Sequence, residues 1–316
     1  PKSISLRSIF MKNDRWCVLI EKIKSIISED RILHDVPMKE HTSMRVGGIV
    51  KTLILPSCKK EIVDIIKILI DMNIPYYVIG NGTNLIVSDE GYSGVVIKIA
   101  DNFADINVSG DEITALSGAS LAAVSNTAML NSLSGMEFAS GIPGTIGGAV
   151  AMNAGAYGCE MKDVVTETSC VDEQGNLLLL KGAEHDFTYR SSRIQKKKLI
   201  VVEVKMRLQR GEISAIKEKM SYFNTCRREK QPLELPSAGS VFKRPQGFFA
   251  GKLIEDAGLR GYRIGGAKIS EKHCGFIVNT GDATAGDVIK LIEYVKERVY
   301  QCSGVILEHE VKILGG

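Results

Sequence analysis

Apolar residues return every three to four positions at Ile62, Ile65, Ile66 and Leu69, the spacing of one buried helical face. Ser57 stands where it would cap that helix, and Asn73 and Pro75 where they would end it. The pattern then shortens into β-like runs. Tyr76–Ile79 reads as a strand, Gly80–Asn84 as a glycine turn, and Leu85–Val87 as a return to strand, with Val95–Ile99 and Glu112–Leu116 as further strands. Ser120–Leu130 predicts a helix that stops near Gly135, and Val164–Leu180 a hairpin folded over Asp172–Asn176. Leu199–Leu208 is one long strand, after a solvated turn at Lys196–Lys198. Past Gln209–Glu212 the pattern turns helical from Ile213 to Lys230, so a domain boundary is expected at that connection.

At 316 residues, 44% hydrophobic and 24% charged, the composition is that of a globular chain with room for two or three domains. Apolar stretches such as Ile62–Ile70 are broken by charges well short of the roughly 20 residues of a bilayer crossing, so no membrane insertion is expected. Lys2 and Arg7 precede no continuous apolar run before Lys12, Asp14 and Arg15, which argues against a secretory signal. Seven cysteines without a Cys-x-x-Cys pair suggest free thiols in a reducing cytoplasm. Five scattered histidines have no metal-ligand spacing, and a net charge of +3 gives no ground for nucleic-acid binding.

Two glycine-rich stretches change the picture. Gly141–Gly158 carries six glycines and no charged side chain, so the backbone itself is the contacting surface. Either it is a tight turn before a small-residue helix packed against a neighbour, or a row of N–H groups facing a diphosphate. The second stretch, Gly80-Asn-Gly-Thr-Asn84, begins like the Gly-x-Gly-x-x-Gly dinucleotide fingerprint but has Leu85 at the third glycine and runs on into a strand. That order speaks against a nicotinamide-binding Rossmann fold and keeps a phosphate-binding turn, with Thr83 and Asn84 as side-chain donors. Ser240, in Pro236–Pro245, has no Gly-x-Ser-x-Gly elbow, so a hydrolase nucleophile is poorly supported. Taken singly, Tyr189–Ser192 and Glu308–Glu310 read as surface.

Taken together these segments resemble the UDP-N-acetylenolpyruvoylglucosamine reductase family over nearly the whole chain. The resemblance runs through His41–Gly48, Gly80–Asn84, Gly141–Gly148, Met152–Gly155, Tyr189–Ser192, Ala238–Lys243, Gly265–His273 and Leu307–Val311. The first two glycine loops are shared with many flavin oxidases, and the later segments are specific to the reductases. Cys274 stands where the family more often has a small residue. The short connection Gly258–Gly265 resembles the compact type without an extra tyrosine-bearing substrate loop.

The resemblance implies an α+β protein with a vanillyl-alcohol-oxidase/PCMH-type FAD-binding fold. Residues 1–210 would hold non-covalent FAD in two subdomains split near 100, and residues 211–316 would form an α+β substrate-binding domain. It implies FAD contacts at Arg45, Gly80, Asn81, Gly82, Thr83, Asn84, Gly141, Pro143, Gly144, Thr145, Gly147, Gly148, Asn153 and Gly155. NADPH would be the co-substrate and UDP-N-acetylenolpyruvoylglucosamine the acceptor, reduced to UDP-N-acetylmuramate for peptidoglycan precursors. Arg190 would stabilise the enolate, its planar fork matching carboxylate oxygens. Glu310 would assist only if its pKa is raised so that it carries a proton, and Ser240 would protonate the carbanion. Lys243, Arg227 and Tyr189 would contact the substrate. Two rivals remain at this point: a flavin-dependent sugar or alcohol oxidase, disfavoured because no histidine for covalent FAD attachment lies in the first glycine segment, and a nucleotide-binding regulator without flavin.

Overall fold

The computed structural model describes the backbone of residues 6–315 and the side chains from Arg15 onward. The stretch weighed as a possible signal segment, Lys2 and Arg7 to Asp14, lies partly or wholly outside what is described.

The first unit begins with α1 (Leu6–Lys24) and builds a sheet from β1 (Ile32–Pro37), β2 (Ile49–Ile54), β3 (Tyr76–Ile79) and β5 (Tyr92–Lys98), with α2 (Lys59–Asp71) between β2 and β3 and the short β4 (Leu85–Val87) before β5. The strand order is β1-β2-β5-β3, and the β2, β5 and β3 neighbours are parallel. The expected helical face is the one that is buried: Ile62, Ile65, Ile66 and Leu69 are fully covered, packed with Leu19 and Ile23 of α1. The cap differs from expectation. Cys58 is the N-cap residue, because Glu61 folds back to accept from the Ser57 N–H at 2.6 Å, held there by the two guanidinium nitrogens of Arg31 at 2.7 and 2.8 Å. Asn73, at φ 48°, ends the helix as expected.

The second unit is an antiparallel sheet of β6 (Ile106–Ser109), β7 (Glu112–Leu116), β11 (Val165–Val171), β12 (Leu177–Lys181) and β13 (Ile200–Arg207), ordered β12-β11-β13-β7-β6. Between β7 and β11 lie α3 (Leu121–Leu130), β8 (Leu133–Ser134), α4 (Ile146–Ala151), β9 (Gly155–Ala156) and β10 (Cys159–Glu160). The hairpin turns where expected, with the Asp172 carboxylate accepting the N–H groups of Gln174 and Asn176, each at 2.8 Å. Past the hairpin, α5 (Arg193–Lys196) takes in Lys196, and Lys197 and Lys198 remain exposed. After β14 (Gln209–Arg210), α6 spans Ile213–Lys230, the range its pattern predicts. Its buried residues are Ile216 and Met220, and Phe223 joins the core of the second sheet. By packing, then, α6 goes with the second unit.

The third unit holds β15 (Ser237–Ser240), α7 (Ala250–Asp256), β16 (Arg263–Ile264), β17 (Ala267–Ile269), β18 (Phe276–Asn279) and α8 (Ala285–Ser303). The last strand, β19 (Lys312–Leu314), leaves this unit and pairs in parallel with β4 of the first. Other ties join the same two units. Ser43 Oγ donates to the Ser237 carbonyl at 2.6 Å, and Asn279 Nδ2 to the Met44 carbonyl at 3.1 Å. Met44, Val46 and Ile86 are part of the third unit's own apolar core, beside Val241, Phe242 and Val311.

Asp89 makes the clearest single tie, accepting the Ala285 and Gly286 N–H groups at 2.8 and 2.7 Å and so closing the N-terminus of α8 from the neighbouring unit. Asp89→Ala should cost about 1–2 kcal/mol of unfolding free energy, the range for a lost helix cap. Urea denaturation checks it, and an unchanged midpoint would contradict this role.

Candidate functional site

The three units enclose a cavity of about 960 Å³, at the upper end of the roughly 300–1,000 Å³ usual for small-molecule sites. It runs from Asn73–Ile79, past both glycine loops, to Arg190, Ser240 and Glu310.

The two glycine loops meet on its wall. A Cβ on Gly80 would lie 2.5 Å from Thr145 Oγ1, and one on Gly82, at φ +63°, 2.1 Å from the His41 carbonyl, so neither place accepts a side chain. Thr83 Oγ1 donates to the Pro143 carbonyl at 3.3 Å. Thr145 caps α4. Among the described residues no acceptor meets the N–H groups of residues 80–84, 144 or 145. A row of uncharged donors between loops that exclude Cβ atoms fits the diphosphate of an extended dinucleotide such as FAD.

At the other end Glu310 is bound from three sides. Its N–H donates to the Val241 carbonyl at 2.7 Å, which sets it beside Ser240; its own carbonyl accepts from Asn84 Nδ2 at 3.3 Å; and its Oε2 accepts from Arg190 Nε at 3.3 Å. Burial pushes the Glu310 carboxyl above the usual range, outweighing the opposing pull of Arg190. Arg190 sits in a left-handed turn at φ 54°, and its Nη2 donates to the Gly155 carbonyl at 3.2 Å. Ser240 Oγ donates to the Phe242 carbonyl at 3.3 Å, a long contact that leaves the hydroxyl loosely held.

Of the residues singled out from the sequence, Gly80, Asn81, Gly82, Thr83, Asn84, Pro143, Gly144, Thr145, Gly148, Gly155, Arg190, Arg227, Ser240 and Glu310 line the cavity. The others stand behind or outside it. Gly147 faces Ser117, whose Cβ would be 2.7 Å from an added methyl, so it serves the packing of α4, the plainer of its two expected roles. Gly141 backs onto Asn224 and Arg227. Arg45 is exposed. Lys243 pairs with Glu308 at 2.9 Å, and Tyr189, 48% exposed, accepts at its hydroxyl from the Arg244 N–H at 3.2 Å. Asn153 is a brace: wholly buried, it donates to Glu160 at 3.0 Å and to the Thr188 carbonyl at 3.1 Å, and accepts the Lys162 N–H at 3.0 Å. It therefore holds the turn that aims Arg190.

Sequence reasoning missed several lining residues. Lys312 stands two positions past Glu310, so strand alternation would have found it. His273 is held neutral by burial, with Nδ1 accepting the Gly275 N–H at 3.0 Å. Met152 touches Asn84 Nδ2 at 3.1 Å, and Gln231 gave no signal at all. Cys274, the departure noted above, is a buried thiol whose pKa burial raises, which leaves it unreactive.

Comparison with known proteins agrees with this geometry. Residues 50–181 match the FAD binding domain family, and residues 231–314 match the C-terminal domain of UDP-N-acetylenolpyruvoylglucosamine reductase. The chain is 51% identical over 298 residues to the UDP-N-acetylenolpyruvoylglucosamine reductase of Caldanaerobacter subterraneus subsp. tengcongensis, covering 94% of this chain and 98% of that one. It is 48% identical to the reductase of Clostridioides difficile, covering 92% and 96%. The crystal structure of the Thermus caldophilus reductase superposes with a TM-score of 0.77 at 34% identity, over 89% of this chain and 98% of that one.

Asn153→Ala would leave the Lys162 N–H without its acceptor and take one of two donors from the Thr188 carbonyl, which keeps the Ser191 N–H, at about 1 kcal/mol for each hydrogen bond lost. Differential scanning calorimetry should show a clearly lowered Tm, with loss of turnover exceeding loss of flavin as the Arg190 turn relaxes. Wild-type Tm and turnover would refute the bracing role.

Proposed function

The chain belongs to the UDP-N-acetylenolpyruvoylglucosamine reductase family, and from that premise we propose that Arg190, Glu310 and Ser240 carry its chemistry. The protein is an FAD-dependent oxidoreductase with a PCMH-type FAD-binding fold that reduces UDP-N-acetylenolpyruvoylglucosamine to UDP-N-acetylmuramate with NADPH, in peptidoglycan precursor synthesis. FAD, when bound, supplies the hydride route from NADPH to the methylene carbon of the enolpyruvyl ether. The single observation that carries the residue assignment is the convergence of Arg190 and Glu310 at 3.3 Å beside Ser240, in one cavity with the glycine cradle.

Each side chain suits a distinct demand. The Arg190 guanidinium stays charged and forks onto carboxylate oxygens, so it stabilises negative charge building on the substrate's carboxylate end. A bare Glu310 carboxylate would oppose that charge. Burial raises its pKa, and in its protonated form it donates instead. Ser240, only weakly held by the Phe242 carbonyl, is free to turn its hydroxyl toward the carbon next to the carboxylate and place the proton there. Backbone donors of residues 80–84 and 144–145 hold the FAD diphosphate, with Thr83, Asn84 and Thr145 beside them. Tyr189 and Lys243, at the outer side, are placed to meet the sugar nucleotide once it is bound, Lys243 by exchanging Glu308 for phosphate.

We place the protein in the cytoplasm. Its seven cysteines are all free thiols, and no helix among the described residues is long and apolar enough to cross a membrane.

Ser240→Ala separates the two half-reactions. Flavin reduction by NADPH should stay within a few-fold of wild type, while reoxidation by the enolpyruvyl substrate should slow about 10²–10⁴-fold, the usual loss for a positioned acid. Anaerobic stopped-flow absorbance reads both. Equal damage to both steps, or intact reoxidation, would remove Ser240 from this role.

A further inference from the structure

One wall of the cavity carries two neighbouring polar side chains of opposite hydrogen-bonding character. Arg227 and Gln231 both line it, at the end of α6, and the Gln231 N–H donates to the Arg227 carbonyl at 2.9 Å, which fixes how the two side chains leave the backbone. Gln231 Oε1 is buried and accepts no hydrogen bond among the described residues. Burial lowers the Arg227 pKa and no carboxylate of the described chain offsets it. A buried amide oxygen without a donor stands next to a half-buried cation, a polar pair suited to a ligand that offers a donor and an acceptor side by side.

Their place on the wall narrows what that is. Arg227 Cδ would be 3.2 Å from a Cβ on Gly141, at the start of the second cradle loop. On the same side, Tyr157 stacks on Phe223 of α6 at 4.2 Å, directly after the strand whose Gly155 carbonyl takes Arg190. The pair thus lies between the cradle and the Arg190–Glu310 end. A diphosphate offers acceptors only: it would satisfy Arg227 and leave Gln231 Oε1 unpaired. The pyrimidine edge of a flavin ring offers a carbonyl acceptor, C2=O, directly beside an N3–H donor.

We infer that Arg227 and Gln231 hold this pyrimidine edge, Arg227 donating to C2=O and Gln231 accepting from N3–H. The inference rests on FAD being the cofactor. It gives Arg227 a redox role. When hydride passes from NADPH to flavin N5, two electrons enter the ring, NADP⁺ leaves, and the added negative charge settles along N1–C2=O. A cation at that edge binds the reduced ring more tightly than the oxidised one, which raises the midpoint potential. Arg227 is then a cofactor contact rather than the substrate contact first expected of it.

The test uses apoprotein reconstituted with FAD, reading the midpoint potential by dye equilibration and the Kd of oxidised FAD by fluorescence. In Arg227→Met the reduced cofactor should lose at least tenfold more affinity than the oxidised one, a fall of about 30 mV or more. Arg227→Lys should recover at least half of it. N3-methyl-FAD should bind wild type at least fivefold more weakly than FAD, and that penalty should vanish in Gln231→Leu. An unchanged potential in Arg227→Met with a raised KM for the enolpyruvyl substrate would return Arg227 to the substrate and overturn the inference. If Arg227→Met takes up no FAD, the N3-methyl comparison decides alone: an equal penalty in both proteins overturns it. A wild-type protein that holds no FAD would instead refute the proposed function, so the two failures are distinct.

Discussion

Glu310 is the point at which the three units of the chain meet through hydrogen bonds. Its carbonyl is held by Asn84 of the first unit, its carboxyl by Arg190 of the second, and its N–H by the Val241 carbonyl of the third. The residue stands only a few positions before the strand Lys312–Leu314, which pairs with β4. The first and third units are therefore joined beside Glu310 at that end of the cavity. Moving any one unit relative to the others would open one of these three bonds, which is why the acid, the guanidinium and the glycine cradle keep a common geometry although they are distant in sequence.

The same meeting point explains the electrostatics. A carboxyl enclosed by three units is desolvated, and that burial outweighs the opposing pull of Arg190 at 3.3 Å, so the Glu310 carboxyl is pushed above its ordinary pKa. The left-handed turn at Arg190 is held in turn by the Asn153 brace, itself at φ 46°. Two residues in a strained region of backbone are kept there by buried hydrogen bonds, an arrangement common where geometry at a site matters more than local stability.

Much of this was legible in the sequence, for identifiable reasons. Periodicity located α2 because its apolar residues fall on one face, and the Asp172–Asn176 turn announces its hairpin by residue type. Glycine content showed where no side chain fits, yet it could not say what lies opposite: a loop wall and the cavity at Gly80, but only Ser117 at Gly147. The change of periodicity at Gln209–Glu212 marks where helix begins and does not by itself say which core the helix joins; Phe223 of α6 packs with the second sheet. The bracing contacts of Asn153 and the place of Gln231 on the cavity wall depend on residues far along the chain. No local pattern encodes either.

The central claim, that Glu310 works as a buried neutral acid beside Arg190, is tested most directly by the pH dependence of reoxidation of the reduced flavin by the enolpyruvyl substrate. A carboxyl with a raised pKa is protonated at low pH and loses its proton as pH rises through that value, so the wild-type rate should be full on the acid side and fall above it. Glu310→Gln, which has no proton to lose, should react more slowly and show no fall over the same range. The same fall in both proteins, or a wild-type rate that rises through that range, would contradict the account.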